Sequence, residues 1–384
     1  MWKIKQLLWC VLALSLALSS CLSSRQSNSY PEASLPDEIG EMGPGSGKAA
    51  APYHEIMPAE ETKRQFTKAY FLASAQKRPI FAKYLNTLGP GAILDFLEAT
   101  YPACHGQAHE LGQVIFEQVK EISLAIRACQ TRCTSGCLHG VLKEAFGGSS
   151  LDDLAKQVNH FCQEGAMSQM HKPGNCAHGI GHALMVIAEQ DLQKALASCA
   201  MFVNAAMEYY CATGVFMEFF AGEKTPQGEE HKLRGLHFPC DTTPRFPAAC
   251  YRYKVRHLLR TFSQDRARVV QECLQLPRAR RLGCFHGLGA AFTVEIGRHP
   301  ALLPAVCLHG TPEDQIMCIE GAVEKLAEYN EERAHAACAT LDGGMADICT
   351  TAAREKMYRL HKPPIELYLI HETLPSGGPS HVSE

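Results

Sequence analysis

Histidine is the residue type whose placement in this chain points most directly to chemistry. His105, His139, His178 and His286 each stand directly before a glycine, and two of them are followed four residues later by a second histidine, His109 and His182. On a helix, positions i and i+4 share a face, so such a pair of imidazoles can hold one metal ion. Neighbouring packed helices lie about 8 to 10 Å apart, so histidines on adjacent helices can share an ion while those two helices apart, at roughly 18 Å, cannot. The sets this allows are His105, His109 and His139, or His139, His178 and His182. Three nitrogen ligands with an open fourth position suit zinc or copper, and zinc in such a site can activate water. Glu110 and Glu144 are the carboxylates nearest in sequence, and neither is placed as an obvious general base. The same histidines also suit a plain role as core or capping residues near helix starts. Met185, Met201, Met207 and Met217 are expected in the core rather than on copper.

Cysteine shows a second regularity. Cys162 and Cys176 lie 14 residues apart, Cys199 and Cys211 12, Cys240 and Cys250 10, while Cys273/Cys284, Cys307/Cys318 and Cys338/Cys349 are each separated by 11. A bridge across each interval staples the end of one helix pair to the start of the next, and by loop entropy is worth ~2 to 3 kcal/mol. Cys129 and Cys137, 8 apart, fit the same role, and elimination leaves Cys104 with Cys133. A cysteine zinc site needs four converging ligands, whereas these cysteines come in spaced twos, so bridges are expected.

The elements that must position these residues come from an internal repeat. Cys104, Cys137, Cys176, Cys211, Cys250, Cys284, Cys318 and Cys349 open successive copies at steps of 31 to 39 residues. Each is followed by an amphipathic stretch: Leu138, Val141, Leu142, Ala145 and Phe146 in one copy, Ile319, Ala322, Val323, Leu326 and Ala327 in another. That is the i, i+3, i+4, i+7, i+8 spacing of one helical face. A second helix ending in cysteine follows in most copies, over 151–162, 191–199, 265–273, 301–307 and 330–338. The expected fold is therefore all-α, a solenoid of helical hairpins of about 35 residues each, stapled by disulfides. The copy from Cys211 to Cys250 is irregular, and a bend or inserted loop is expected there. Gly106, Gly140, Gly179, Gly214, Gly287 and Gly321 disfavour helix and are expected where a neighbouring backbone comes close. At the histidine positions the other copies carry residues such as Lys143, Arg252, Arg256, Glu320 and Glu324. A closed apolar core does not accept these, so the row is expected along a groove or exposed edge.

Residues 1–20 carry Lys3 and Lys5, an apolar run from Leu7 to Leu18, and Ser19-Ser20 before Cys21. A charged head, an apolar body and small residues at the cut make a secretion signal. Leu18-Ser19-Ser20-Cys21 resembles the lipobox of bacterial lipoproteins, whose cysteine becomes the lipidated first residue of the mature chain. The resemblance covers these first 21 residues and implies a lipid anchor on Cys21. With Leu22 rather than Asp next, it also implies sorting to the outer membrane, facing the periplasm or the cell surface. Loss of Cys10 with the signal and of Cys21 to the lipid leaves 16 of the 18 cysteines. That is an even set in an oxidising compartment. Residues 21–60, rich in Ser, Pro and Gly, read as a flexible tether, 61–362 as the helical repeat domain and 363–384 as a C-terminal tail.

With 37 Lys+Arg against 40 Asp+Glu and a net charge of −3, the chain has no field to gather nucleic acid. Two function classes stay open. One is a binding or scaffold module holding a protein, peptide or glycan partner in the envelope. The other is a metal-binding protein or metal-dependent hydrolase built on the histidine row.

Overall fold

The helical spacing of the repeats becomes helix after helix. The computed structural model describes residues 60–73, 77–163, 167, 170–221 and 235–360. These hold 17 α-helices and no strand, and all belong to one compact unit, residues 40–384. The signal, the lipobox and nearly all of the tether and tail lie outside the described residues. Among the described residues no helix is long and apolar enough to cross a membrane.

Two helices precede the repeats, α1 (Glu60–Leu72) and α2 (Arg78–Thr100), the latter kinked where Gly89 takes φ 74° ahead of Pro90. The pairs follow: α3 (His105–Val119) with α4 (Ile122–Cys129), α5 (Gly136–Phe146) with α6 (Leu151–Gln163), and α7 (Pro173–Ile187) with α8 (Leu192–Ser198). Next come α9 (Ala205–Ala221), α10 (Pro247–Thr261) with α11 (Arg266–Leu274), and α12 (Arg278–Ala291) with α13 (Thr293–Arg298) and α14 (Leu302–Cys307). The series ends with α15 (Pro312–Tyr329), α16 (Glu331–Cys338) and α17 (Gly343–Glu355). Proline begins α7, α10 and α15, where its missing N–H costs nothing. Second helices start on side-chain caps: Asp191, Asp265 and Asn330 accept the backbone N–H of Lys194, Arg268 and Arg333. The irregular copy has no second helix among the described residues; a turn over 235–246 leads into α10.

All eight expected cysteine pairs lie at bonding distance, with Cα atoms 5.2 to 5.7 Å apart. Each of the regular bridges joins the end of a second helix to the first turns of the next first helix, so the junction between units is covalently held.

The first helices α3, α5, α7, α9, α10, α12, α15 and α17 pack each against the next. Several of these contacts are backbone against backbone. A Cβ on Gly214 would lie 1.9 Å from the carbonyl oxygen of His178, and one on Gly140 2.0 Å from that of His109. Gly106 breaks the pattern, with nothing within 4 Å of where its Cβ would be. Opposite outcomes are therefore expected from one substitution at two repeat-equivalent sites. Gly214→Ala should cost about 3 kcal/mol in chemical denaturation, because no side chain can yield to it. Gly106→Ala should be neutral or stabilise by about 0.5 kcal/mol through its helix propensity. Equal effects of the two would contradict this packing.

The last described residues, 355–360, turn back on the array, in addition to the neighbour contacts of a simple stack. Lys172 Nζ donates to the carbonyls of Glu355 (2.8 Å) and Met357 (2.7 Å), and the Tyr210 hydroxyl donates to that of Arg359 (3.1 Å). The histidine row consequently faces inward, not along the expected exposed edge. Of its charged members, Glu320, Glu324 and the largely covered Arg252 are answered by ion pairs, while Arg256 stays exposed. Glu324 meets His286 Nε2 at 3.0 Å and Arg252 at 3.3 Å, and Arg359 lies 3.5 Å from Glu320. Paired charges can occupy an interior that unpaired ones cannot.

Candidate metal centre

Five imidazoles converge from three helices: His105 and His109 on α3, His139 on α5, His178 and His182 on α7. Ring centroids lie 4.6 Å apart for His105/His109, 5.0 Å for His105/His139, 4.7 Å for His139/His178 and 5.0 Å for His178/His182. His139, His178 and His182 are fully buried, while His105 and His109 are partly covered. Both sets expected from spacing are present. In His105, His109 and His139, and again in His139, His178 and His182, one ring nitrogen of each lies within 4.8 Å of the other two.

The hydrogen bonds behind the rings decide where the protons sit. The Thr213 hydroxyl donates to the carbonyl of Tyr210 (2.6 Å), so at 2.8 Å it accepts from His178 Nδ1. The Glu218 carboxylate accepts from His182 Nδ1 at 2.9 Å. His105 Nδ1 donates toward the Cys133 carbonyl (3.2 Å) and Thr134 Oγ1 (2.7 Å). His105 and His178 therefore turn an unprotonated Nε2 inward, and His182 has its Nδ1 proton fixed on Glu218, the arrangement that a partner behind a metal-ligating histidine enforces. His178 Nε2 and His182 Nε2 face each other at 3.3 Å. His139 Nε2 donates to Asn175 Oδ1 (2.6 Å), which leaves the Nδ1 lone pair facing His105 Nε2 at 3.4 Å. His109 Nε2 lies 3.0 Å from His105 Nε2.

Burial disfavours the charged form of four of these rings. It holds His109, His139 and His178 well below the usual imidazole range and pushes His105 down to about 3, with His182 and Lys325 adding repulsion. Burial alone would raise Glu218, but the His182 hydrogen bond and the His182 and Lys143 charges bring it to about 2. The centre thus sets four imidazoles held toward the neutral form, the state that metal ligation requires, beside one ionised carboxylate that anchors His182.

The chain matches no family model, no curated protein and no solved structure. Its chemistry is read from its own residues.

His109 and His182, two units apart, were expected some 18 Å from one another; their rings are 4.7 Å apart. Contact through glycine brings the helices closer than ordinary side-chain packing allows and turns the row into a tight curve. His286 does not join the cluster and pairs with Glu324. Glu110 accepts the backbone N–H of Lys77, and Glu144 lies near Arg78 and Gln113, so neither serves the histidines. Of the four methionines, Met185 and Met207 are buried core. Cys104 and Cys133 lie near Glu98 in a metal-like grouping, but their bridge consumes both sulfurs.

Glu218, Thr213, Thr134 and Asn175 were not found from sequence. Glu218 had a visible signal, a lone charge in the apolar run Val215-Phe216-Met217-Glu218-Phe219-Phe220. Thr134 had none. It sits in a turn where Cys133, Thr134 and Ser135 all take positive φ (50°, 52° and 59°) without glycine. That conformation costs on the order of 1 kcal/mol per residue. Glu98 accepts the Cys133 N–H at 3.0 Å and the Cys104 bridge holds the turn, so Thr134 stays aimed at His105.

His105 also lines a cavity of about 990 Å³, so the cluster has an open side. Structural metal sites are closed, whereas reactive ones keep a face open.

Proposed function

We propose that this chain is an exported metalloprotein, tethered to a bacterial envelope membrane through a lipidated Cys21, whose histidine cluster holds a zinc- or copper-class ion at the wall of the cavity. The observation that carries the reading is the approach of His178 Nε2 and His182 Nε2 to 3.3 Å inside the protein, with the Nδ1 of each ring held by a partner behind it. With both Nδ1 atoms donating outward to Thr213 and Glu218, the two Nε2 atoms are set at the spacing of two ligands on one cation. A binding or scaffold module gains nothing from gathering five imidazoles in its interior. His105, His109, His139, His178 and His182 would hold the ion, and the metal would supply Lewis-acid or hydrolytic chemistry to a group bound in the cavity. Elemental analysis of the oxidised protein should find about one equivalent of zinc or copper per chain. A protein that binds neither after dialysis against micromolar metal would be outside this class.

The anchor is tested separately. Cys21→Ser should leave the protein exported but unlipidated, moving it from the membrane fraction to the soluble envelope fraction. Recovery of that variant in the detergent phase, with lipid attached, would remove the lipoprotein assignment.

A further inference from the structure

The cavity beside the histidine cluster has a one-sided charge. Arg252, Arg256 and Arg260 stand at i, i+4 and i+8 on one face of α10, and Lys325 joins them from α15. No Asp or Glu is among its described lining residues. The chain as a whole carries −3, so this concentration of positive charge is local. Arg252 is answered by Glu324. Arg256 and Lys325 make no hydrogen bond or ion pair among the described residues, and Glu295 opposes the repulsion on Lys325 only weakly. Lys325 is half-buried, and such a cation at a cavity wall with no ion pair is costly unless a ligand supplies the charge; Arg256 beside it is exposed and open to the same ligand.

From this geometry we infer that the cavity receives a phosphoryl group, carried by an organic substrate, with Arg256 and Lys325 as its principal contacts. Charge decides between the two common oxyanions. A phosphate monoester brings about −1.5 to −2 and matches two unanswered cations, whereas a carboxylate brings only one charge. Guanidinium adds two parallel donors that fit phosphate oxygens. Size points to more than a bare ion. About 990 Å³ lies at the upper end of small-ligand sites, and Met217, Phe220 and Met357 give the cavity an apolar part. Burial, then the neighbouring Arg256 and Arg252, holds the Lys325 ammonium well below its ordinary range, a strain that an anion among them would relieve. The inference deepens the metal reading in one respect, since His105 is the wall common to cavity and cluster.

The test uses full-length protein with Cys21→Ser, in calorimetric titrations with phenyl phosphate and with benzoate, which share a ring and differ in the anion. Phenyl phosphate should bind at least about tenfold more tightly than benzoate. Arg256→Gln combined with Lys325→Gln should weaken it by about thirtyfold or more while bound metal stays unchanged. Ala290→Glu sets a carboxylate into the cavity without removing a contact, and should have a similar effect even if the double variant folds poorly. Equal affinity for benzoate, undiminished binding by the variants, or no binding of phenyl phosphate at millimolar concentration would each overturn the inference. The two readings fail separately. Phenyl phosphate binding by a chain that takes up no metal would support the cavity assignment and refute the metal centre; metal uptake without phenyl phosphate binding would do the reverse.

Discussion

His139→Gln is expected to abolish tight metal binding, the largest effect of any single substitution in the cluster, because His139 belongs to both ligand sets. Glutamine keeps a polar group of similar reach near Asn175 but offers no ring nitrogen. Calorimetric titration of oxidised protein with zinc should show affinity falling by about a hundredfold or more. Thr213→Val, which only frees the His178 tautomer, should cost about tenfold to a hundredfold. If His139→Gln binds zinc like the parent, the cluster is not the site. The chelated protein adds a pH signature. His105, His109, His139 and His178 are depressed in the fold, so as pH falls below about 6.5 the unfolded chain takes up protons that the folded chain refuses. Their contribution is whole above that pH and is lost on the way down to about 3, where His105 protonates. Each such histidine steepens the loss by about 1.4 kcal/mol per pH unit. Urea titrations of chelated protein between pH 7 and pH 4 should show that slope, and its absence would place the histidines in contact with water.

Reduction of the disulfides should unfold the domain. Eight bridges worth ~2 to 3 kcal/mol each exceed the roughly 5 to 15 kcal/mol by which domains are stable. Helical circular dichroism should therefore collapse at room temperature in excess reductant under mild denaturant. Single pairs separate two roles. Replacing Cys338 and Cys349 with Ala should lower the melting temperature by several degrees and leave zinc affinity intact, since that bridge lies between α16 and α17. Replacing Cys104 and Cys133 should lower both, because that bridge, of sequence separation 29, holds the left-handed turn carrying Thr134 and the Cys133 carbonyl against His105. Full metal affinity in the second variant would show that the turn does not position His105. Reduced protein that keeps its helices would show that packing alone carries the fold.

What the amino-acid order determined by itself is local. The i, i+3, i+4 apolar spacing defines the first helices, and Asp191, Asp265 and Asn330 mark where second helices start. The regular cysteine intervals fix their partners because both ends of each short loop are close before folding. The i, i+4 pairs His105/His109 and His178/His182 belong to the same level, since a helix alone puts each pair on one face. Only the tertiary structure decided how sharply the row of helices curves. That depends on close approach through Gly140, against the His109 carbonyl, and Gly179, against Leu142 and His139, whose closeness no spacing rule measures. The curve brings His109 to His182 and turns the row inward. It also places Thr134, Asn175, Thr213 and Glu218 behind the rings, where their hydrogen bonds select the tautomer. Ligand types were legible because one helix presents them. Protonation, burial and the open side toward the cavity were not, because each is set by residues distant in sequence that meet only when the helices pack.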